Sequence, residues 1–317
     1  MDRPGGVDVA VVGTINLDTT IHVSRLAERG ETVVGDDATD APGGKAANQA
    51  VATARLGART HLVGCVGDDT AGDAVLAFLA AEPRLDVTGV GRVLGTATGR
   101  ALIAVDDAGG NTVTTGRGAN RCLDDAHVHR YGKAIGDAAV MLVQLGVPTD
   151  AVRAALEIAR GVGTMAILDP APADDVDDDV LRCVDVITPN ETEAARLTGR
   201  RVESERDARA AAHALMRRGC ASVVITLGAR GAYYASAARP DGELVAPFAI
   251  DPADAIDPTG AGDAFCGALA AALARGAEID DALRDAAVAD ALATTVVGAA
   301  PSMPSGAAVR AARDGPR

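Results

Sequence analysis

Short apolar runs alternate with amphipathic stretches along most of the chain. Residues 7–12, 61–66, 140–144, 165–168, 184–187 and 222–227 are apolar runs of strand length. Helical periodicity follows over 45–56, 70–81, 149–160, 191–197 and 204–218. Beyond residue 120 the alternation is regular, which favours a mostly parallel sheet covered on both faces. Four further short segments break that order. Residues 19–23 and 32–39 are joined by 24–31, and 98–105 with 111–115 form a hairpin around Asp106, Asp107, Ala108, Gly109 and Gly110. Together they predict a separate small sheet.

The clearest helix begins in Asp257-Pro258-Thr259-Gly260-Ala261-Gly262-Asp263. Phe265, Leu269, Ala272 and Leu273 lie at i, i+4, i+7 and i+8, and Gly276 suits its end. A helix starting here points unpaired N–H groups and the positive end of its dipole outward, which suits an anion. Gly260 and Gly262 let a phosphate approach the backbone. An aspartate at such a place repels phosphate unless it accepts a proton from an attacking hydroxyl. The plainer reading makes Asp263 an acidic first-turn residue after a glycine turn.

Other strand ends carry polar residues, where an open α/β sheet binds ligands. Gly13-Thr14-Ile15-Asn16-Leu17-Asp18 offers Asn16 and Asp18 to sugar hydroxyls, or forms a simple turn. Gly43-Gly44-Lys45-Ala46-Ala47-Asn48-Gln49-Ala50 puts Lys45 and Asn48 in the first turn of a helix, but lacks P-loop spacing. In Thr188-Pro189-Asn190-Glu191-Thr192-Glu193, Asn190 and Glu193 share one face. They suit either a hydrated magnesium or a helix cap. Thr226-Leu227-Gly228-Ala229-Arg230-Gly231 suits close contact with a nucleotide.

Composition narrows the partners. The 317-residue chain is 48% apolar and carries a net charge of -14, against a polyanion-binding surface. Three Tyr, three Phe and no Trp make a stacking platform for nucleic acid unexpected. Cys65, Cys122, Cys183, Cys220 and Cys266 are widely spaced, with no Cys-x-x-Cys, and read as core thiols of a reducing compartment. Met1-Asp2-Arg3-Pro4-Gly5-Gly6 lacks the apolar stretch of a signal peptide, and no apolar run approaches roughly 18 residues. No membrane partner and a cytoplasmic location are expected. The acidic run from Asp174 and Asp175 to Asp177, Asp178 and Asp179 lacks calcium-loop spacing and reads as solvated loop and helix start. His127 and His129 fall on different sides of a helix, a poor ligand pair.

These motifs, in this order over nearly the whole chain, resemble those of the PfkB family of sugar kinases. Gly298-Ala299-Ala300-Pro301-Ser302-Met303-Pro304 adds to the match. The resemblance implies one domain over 1–317 with a ribokinase-like three-layer α/β/α sandwich. Its central sheet would be mostly parallel, and a small β-sheet lid would come from about 18–40 and 97–116. It implies transfer of the γ-phosphate of ATP to the 5-hydroxyl of D-ribose. Asp263 matches the base, and Gly260, Ala261 and Gly262 the anion hole. Asn16, Asp18, Gly44, Lys45 and Asn48 match sugar contacts. Asn190, Thr226, Gly228, Ala229, Arg230, Gly231 and Gly262 match nucleotide contacts, and Glu193 a residue linked to Mg2+. Asp257, Thr259, Ala293, Val296, Gly298 and Ser302 match a monovalent-cation site, usually K+. The lid implies a homodimer.

Three positions depart from the family pattern. Gly146 follows Gln144-Leu145 where the family's ribose kinases commonly carry a sugar-binding glutamate, so one acceptor is lost and the pocket is expected to open. Pro258 replaces a common threonine and Ala46 a common glycine. Gly146 motivates an alternative acceptor: another pentose, a nucleoside or a ketohexose. A catalytically silent sugar- or nucleotide-binding regulator is the other alternative.

Overall fold

The computed structural model describes residues 8–107, 110–173 and 176–315. Asp174 and Asp175 of the acidic run, and Ala108 and Gly109 of the predicted hairpin, lie outside them. The strands are β1 Val9–Val12, β2 Asn16–Val23, β3 Thr39–Gly43, β4 Thr60–Gly67, β5 Leu85–Val93, β6 Gly99–Asp106 and β7 Asn111–Gly116. They continue with β8 Val140–Gln144, β9 Met165–Asp169, β10 Val186–Ile187, β11 Ser222–Thr226, β12 Ala232–Ser236 and β13 Arg239–Val245. The helices are α1 Lys45–Arg55, α2 Thr70–Ala81, α3 Asp125–Arg130, α4 Gly132–Asp137, α5 Thr149–Val162 and α6 Asp178–Leu181. After them come α7 Glu191–Thr198, α8 Glu205–Arg218, α9 Ala261–Ala274, α10 Ile279–Ala293 and α11 Gly306–Asp314.

Nine strands form the central sheet in the order β13-β12-β11-β10-β9-β8-β1-β4-β5. All neighbours are parallel except β11–β12 and β12–β13. From β1 the chain builds outward through β4 and β5, then returns to lay β8 on the other side. That reversal leaves a crevice beyond the carboxyl ends of β1 and β8, the usual ligand position in such a sheet.

Apolar side chains cover both faces. One core joins the sheet to α1, α2, α9 and α10 through residues such as Val51, Leu79, Leu269 and Leu283. The other joins it to α5 and α8 through Val152, Leu156 and Leu215. Helix α1 is mostly Ala on its buried side, and a Cβ on Gly267 of α9 would lie 2.5 Å from the Cβ of Ala52. The two helices can approach closely for that reason, which carries Asn48 and Gln49 to the start of α9. The five cysteines are free thiols, and Cys65, Cys220 and Cys266 are buried.

The second sheet has the order β3-β2-β6-β7. Its hairpin β6–β7 falls where the sequence pattern predicts it. The partner of β2 does not: it is Thr39–Gly43 rather than 32–39. The Thr-Val-Val run at 32–34 has strand-like residues but forms no strand, and Val34 is exposed; the chain touches β2 only just beyond it, where Asp36 N donates to His22 O at 2.9 Å. Pro42 can sit in β3 because β3 is an edge strand, where a missing N–H costs no ladder bond.

Candidate active site

Three chain segments meet in the crevice: the β1–β2 turn with β2, the start of α1, and the start of α9. Gly44, at φ 89, turns the chain into α1. A Cβ there would lie 2.7 Å from Asn16 N and 2.8 Å from Thr14 O, so only glycine fits. A Cβ on Gly43 would overlap the Asp18 carboxylate. The pair of glycines thus presses the first turn of α1 against β2. Lys45 N donates to Thr14 Oγ1 at 3.1 Å, and Ala46 N to Thr14 O at 3.1 Å.

Asn16 and Asp18 point from alternate positions of β2. Asn16 is buried, and its Oδ1 accepts from Asn120 Nδ2 at 2.8 Å. Asn120 also accepts from Ile15 N at 2.8 Å, so it fixes the entry to β2. Asp18 Oδ1 and Asn48 Oδ1 are buried with no partner among the described residues. Unmatched buried acceptors fit hydroxyl donors of a ligand. Burial, with Asp263 nearby, pushes the Asp18 carboxyl up to about 6.

Asp263 is 5% exposed, in the first turn of α9. Its Oδ2 accepts from Asn48 Nδ2 at 2.7 Å and its Oδ1 from Gln49 Nε2 at 3.0 Å. Lys45 Nζ lies 3.7 Å from Asp263 and 3.1 Å from Asp169, a carboxylate at the end of β9. Burial alone would lower the Lys45 ammonium. The Asp169 and Asp263 carboxylates outweigh it and hold Lys45 above the ordinary lysine range. Gln49 Nε2 also donates to Asp169 Oδ2 at 2.7 Å, and Gln49 Oε1 accepts from Gln144 Nε2 at 2.6 Å.

Helix α9 starts from Gly260 at φ 79, with Met303 Cε 2.9 Å from where a Cβ would stand. Among the described residues, the N–H groups of Gly260, Gly262 and Asp263 meet no acceptor, whereas Ala261 N donates to Pro258 O at 3.2 Å. Space beside Gly262 is open. The helix end therefore presents a donor set at the crevice with a buried carboxylate beside it.

The residues matched to nucleotide and cation contacts cluster nearby. Asn190 and Thr226 are joined as a bridge between strands, and Thr226 N donates to Pro189 O at 3.0 Å. Asn190 and Glu193 form a reciprocal cap: Glu193 N donates to Asn190 Oδ1 at 2.8 Å, and Asn190 N to Glu193 Oε2 at 2.9 Å. The Gly228–Arg230 turn is exposed, with Gly228 at φ 55 and Gly231 at φ 89, and Ala229 within it. Arg230 is already engaged, to Glu191 Oε1 and, at 2.7 Å, to Glu203 O. Asp257 accepts from Thr259 N at 2.9 Å and from Gly298 N at 2.7 Å, so one carboxylate draws those two backbones together. Ser302 is buried and donates to Ala299 O; Ala293 is buried, and Val296 is 46% exposed.

Thr14 packs directly against Gly146: a Cβ there would overlap the Cγ2 methyl of Thr14. Asp169, Gln49, Asn120 and Thr14 line the site although the sequence pattern does not single them out. A strand ending in Asp169-Pro170 was the available signal for the first.

The chain is similar to known carbohydrate kinases. The family model for pfkB family carbohydrate kinases matches residues 7–306. A ribokinase of Haemophilus influenzae is 37% identical over 297 residues, covering 94% of this chain and 95% of that one. A deoxyribokinase of Salmonella typhi is 32% identical over 301 residues, covering 94% and 96%. The structure of Arabidopsis thaliana ribokinase complexed with ribose and ATP superimposes with a TM-score of 0.88 at 28% identity, covering 98% of this chain and all (100%) of that one.

Proposed function

The chain belongs to the PfkB family of carbohydrate kinases, and on that premise we propose that it is an ATP-dependent ribokinase. It transfers the γ-phosphoryl group of ATP to the 5-hydroxyl of D-ribose, giving ribose 5-phosphate and ADP. The observation that carries the reading is Asp263: a buried carboxylate, oriented by Asn48 and Gln49, beside the unpaired N–H groups that open α9. In this reaction the hydroxyl oxygen bonds to the γ-phosphorus as the bond to the β-phosphate oxygen breaks. Asp263 takes the hydroxyl proton, and ADP leaves with the electron pair. The donors at Gly260, Gly262 and Asp263 face the charge that builds on the transferring group. Asn16, Asp18, Gly44, Lys45 and Asn48 hold the sugar, with Asp18 Oδ1 and Asn48 Oδ1 as free acceptors. Asn190, Thr226, Gly228, Ala229 and Gly231 border the nucleotide, and Arg230 braces that border through Glu191 and Glu203.

Magnesium supplies charge neutralisation on the phosphates when bound. Among the described residues no group of three acidic, histidine or cysteine side chains could hold a metal. An ion that keeps its waters and uses substrate oxygens would have Glu193 and Asn190 as the protein side. For potassium, Asp257, Thr259, Ala293, Val296, Gly298 and Ser302 offer mainly oxygens, and the Asp257 bridge to Thr259 and Gly298 supports that grouping. The small sheet serves as a lid over the sugar and pairs with a second copy. Its exposed Ile21, Leu102 and Val113 support this role. No helix among the described residues is long and apolar enough to cross a membrane, and we place the enzyme in the cytoplasm.

A second acceptor is favoured by Gly146 and its neighbour Thr14: a related pentose such as deoxyribose, as in the Salmonella relative. A rate screen with ribose, deoxyribose, fructose and nucleosides, with phosphorus NMR of the product, decides. Ribose should give the highest kcat/KM and a 5-phosphate. A higher kcat/KM for deoxyribose would replace the ribose assignment, and ATP turnover by none would remove the kinase reading.

A further inference from the structure

Two buried carboxylates share one ammonium at the heart of the crevice, and only one of them is needed as a base. Lys45 Nζ is nearer Asp169, at 3.1 Å, than Asp263, at 3.7 Å. Gln49 Nε2 stands between them, 2.7 Å from Asp169 and 3.0 Å from Asp263. Gln144 Nε2 donates to Gln49 Oε1, which turns the Gln49 amide hydrogens toward both carboxylates. Asp169 Oδ2 thus accepts from both Lys45 and Gln49, and the carboxylate is 3% exposed.

We propose that Asp169 is a positioning residue for phosphoryl transfer: it draws the Lys45 ammonium to itself, leaving Asp263 held by the neutral amides of Asn48 and Gln49. The inference rests on the kinase reading above. A carboxylate paired closely with a full positive charge loses proton affinity and is a weaker base. An amide donor orients the same oxygen with less of that loss. Asp169 therefore keeps the cation in place for the sugar while sparing the base.

The other titratable groups around this cluster are Glu193 from α7, Cys266 from α9, and Asp18 from β2 on the far side of Asp263. Burial, with Asp263 and Glu193 adding to it, raises the Asp169 carboxyl against the pull of Lys45. At neutral pH it is ionised and holds Lys45. Loss of the Asp169 charge would release Lys45 toward Asp263.

D169N creates that released state at every pH, with no change of side-chain size. The acid limb of kcat should move down by about one pH unit. Plateau kcat should fall by about tenfold, with KM for ATP unchanged. D169E keeps the charge and should keep the acid limb at the parental value. Circular dichroism and thermal melting establish that both variants are folded. An active, folded D169N variant whose acid limb coincides with the parent overturns the role. So does complete inactivity of D169N and D169E alike, because a positioning role tolerates the retained charge. An inactive parent protein refutes the reaction, and the role with it; an active parent with an unshifted D169N refutes the role alone.

Discussion

Replacing Gly146 by alanine tests whether Thr14 occupies the space that a side chain at 146 would need. The added Cβ would stand well inside 3.0 Å of Thr14 Cγ2, while Thr14 Cβ and Oγ1 remain at ordinary distances of 3.6 and 3.7 Å. The conflict is therefore confined to one methyl group. Thr14 cannot simply rotate, because its Oγ1 accepts from Lys45 N at 3.1 Å and that bond starts α1. Losing the bond costs about 1 kcal/mol, and forcing an extra carbon into packed space costs about 1–3 kcal/mol. G146A should thus lower unfolding stability by about 2 kcal/mol. It should also raise KM for the sugar, because the first turn of α1 carries Lys45 and Asn48. T14S removes the methyl and keeps the hydroxyl. In the double variant most of the loss should return, a coupling of at least about 1 kcal/mol in a double-mutant cycle. Urea midpoints of the four proteins give the stability arm, and initial rates at saturating ATP give the sugar arm. A G146A protein as stable as its parent, or a loss that T14S leaves untouched, refutes the packing argument.

Two further substitutions probe the frame of the site. G44A forces a side chain onto a residue at φ 89 with backbone atoms 2.7 to 2.9 Å away. It should cost about 1–3 kcal/mol or more; an unchanged urea midpoint would show that the turn into α1 is not fixed as described. The Asp290 side chain has no hydrogen bond or ion pair among the described residues, and burial pushes its carboxyl from 3.8 up to about 6. A folded-state value above the unfolded one means stability present below about pH 4 and lost as pH rises through about 6. D290N should therefore raise stability at pH 7 by about 1–2 kcal/mol, a figure reduced for partial exposure. The gain in Tm should vanish below pH 4, and equal Tm values at pH 7 would refute it.

Local pattern carried much of the architecture. Alternating apolar runs located β8, β9 and β11 and the helices between them, because a buried parallel strand is a continuous apolar run bounded by turn residues. Strand β5 went unseen because Asp86, Gly89 and Gly91 interrupt its apolar positions, and it holds its place by pairing with β4. β3 slipped from 32–39 to Thr39–Gly43 because local propensity favours the valines, whereas pairing with β2 decides. In the site, Asp263, Lys45 and Asn48 stood out through glycines beside a helix start. Asp169 and Gln49 did not. Their contacts span sequence separations of 120 and 214 residues, which no local spacing encodes. The Asn190–Glu193 spacing suits a cap and a magnesium contact alike; the structure contains the reciprocal cap, and the magnesium contact stands as a proposal.

On the function proposed above, Asp263 accepts the proton of a sugar hydroxyl during transfer from ATP. Its most direct test is ribose-dependent ADP release, measured for the parent and for D263N, beside calorimetric ribose binding. The parent should turn over, D263N should lose at least about 100-fold, and ribose binding should persist in the variant. Comparable turnover by the two proteins, or ADP release indifferent to ribose, would contradict it.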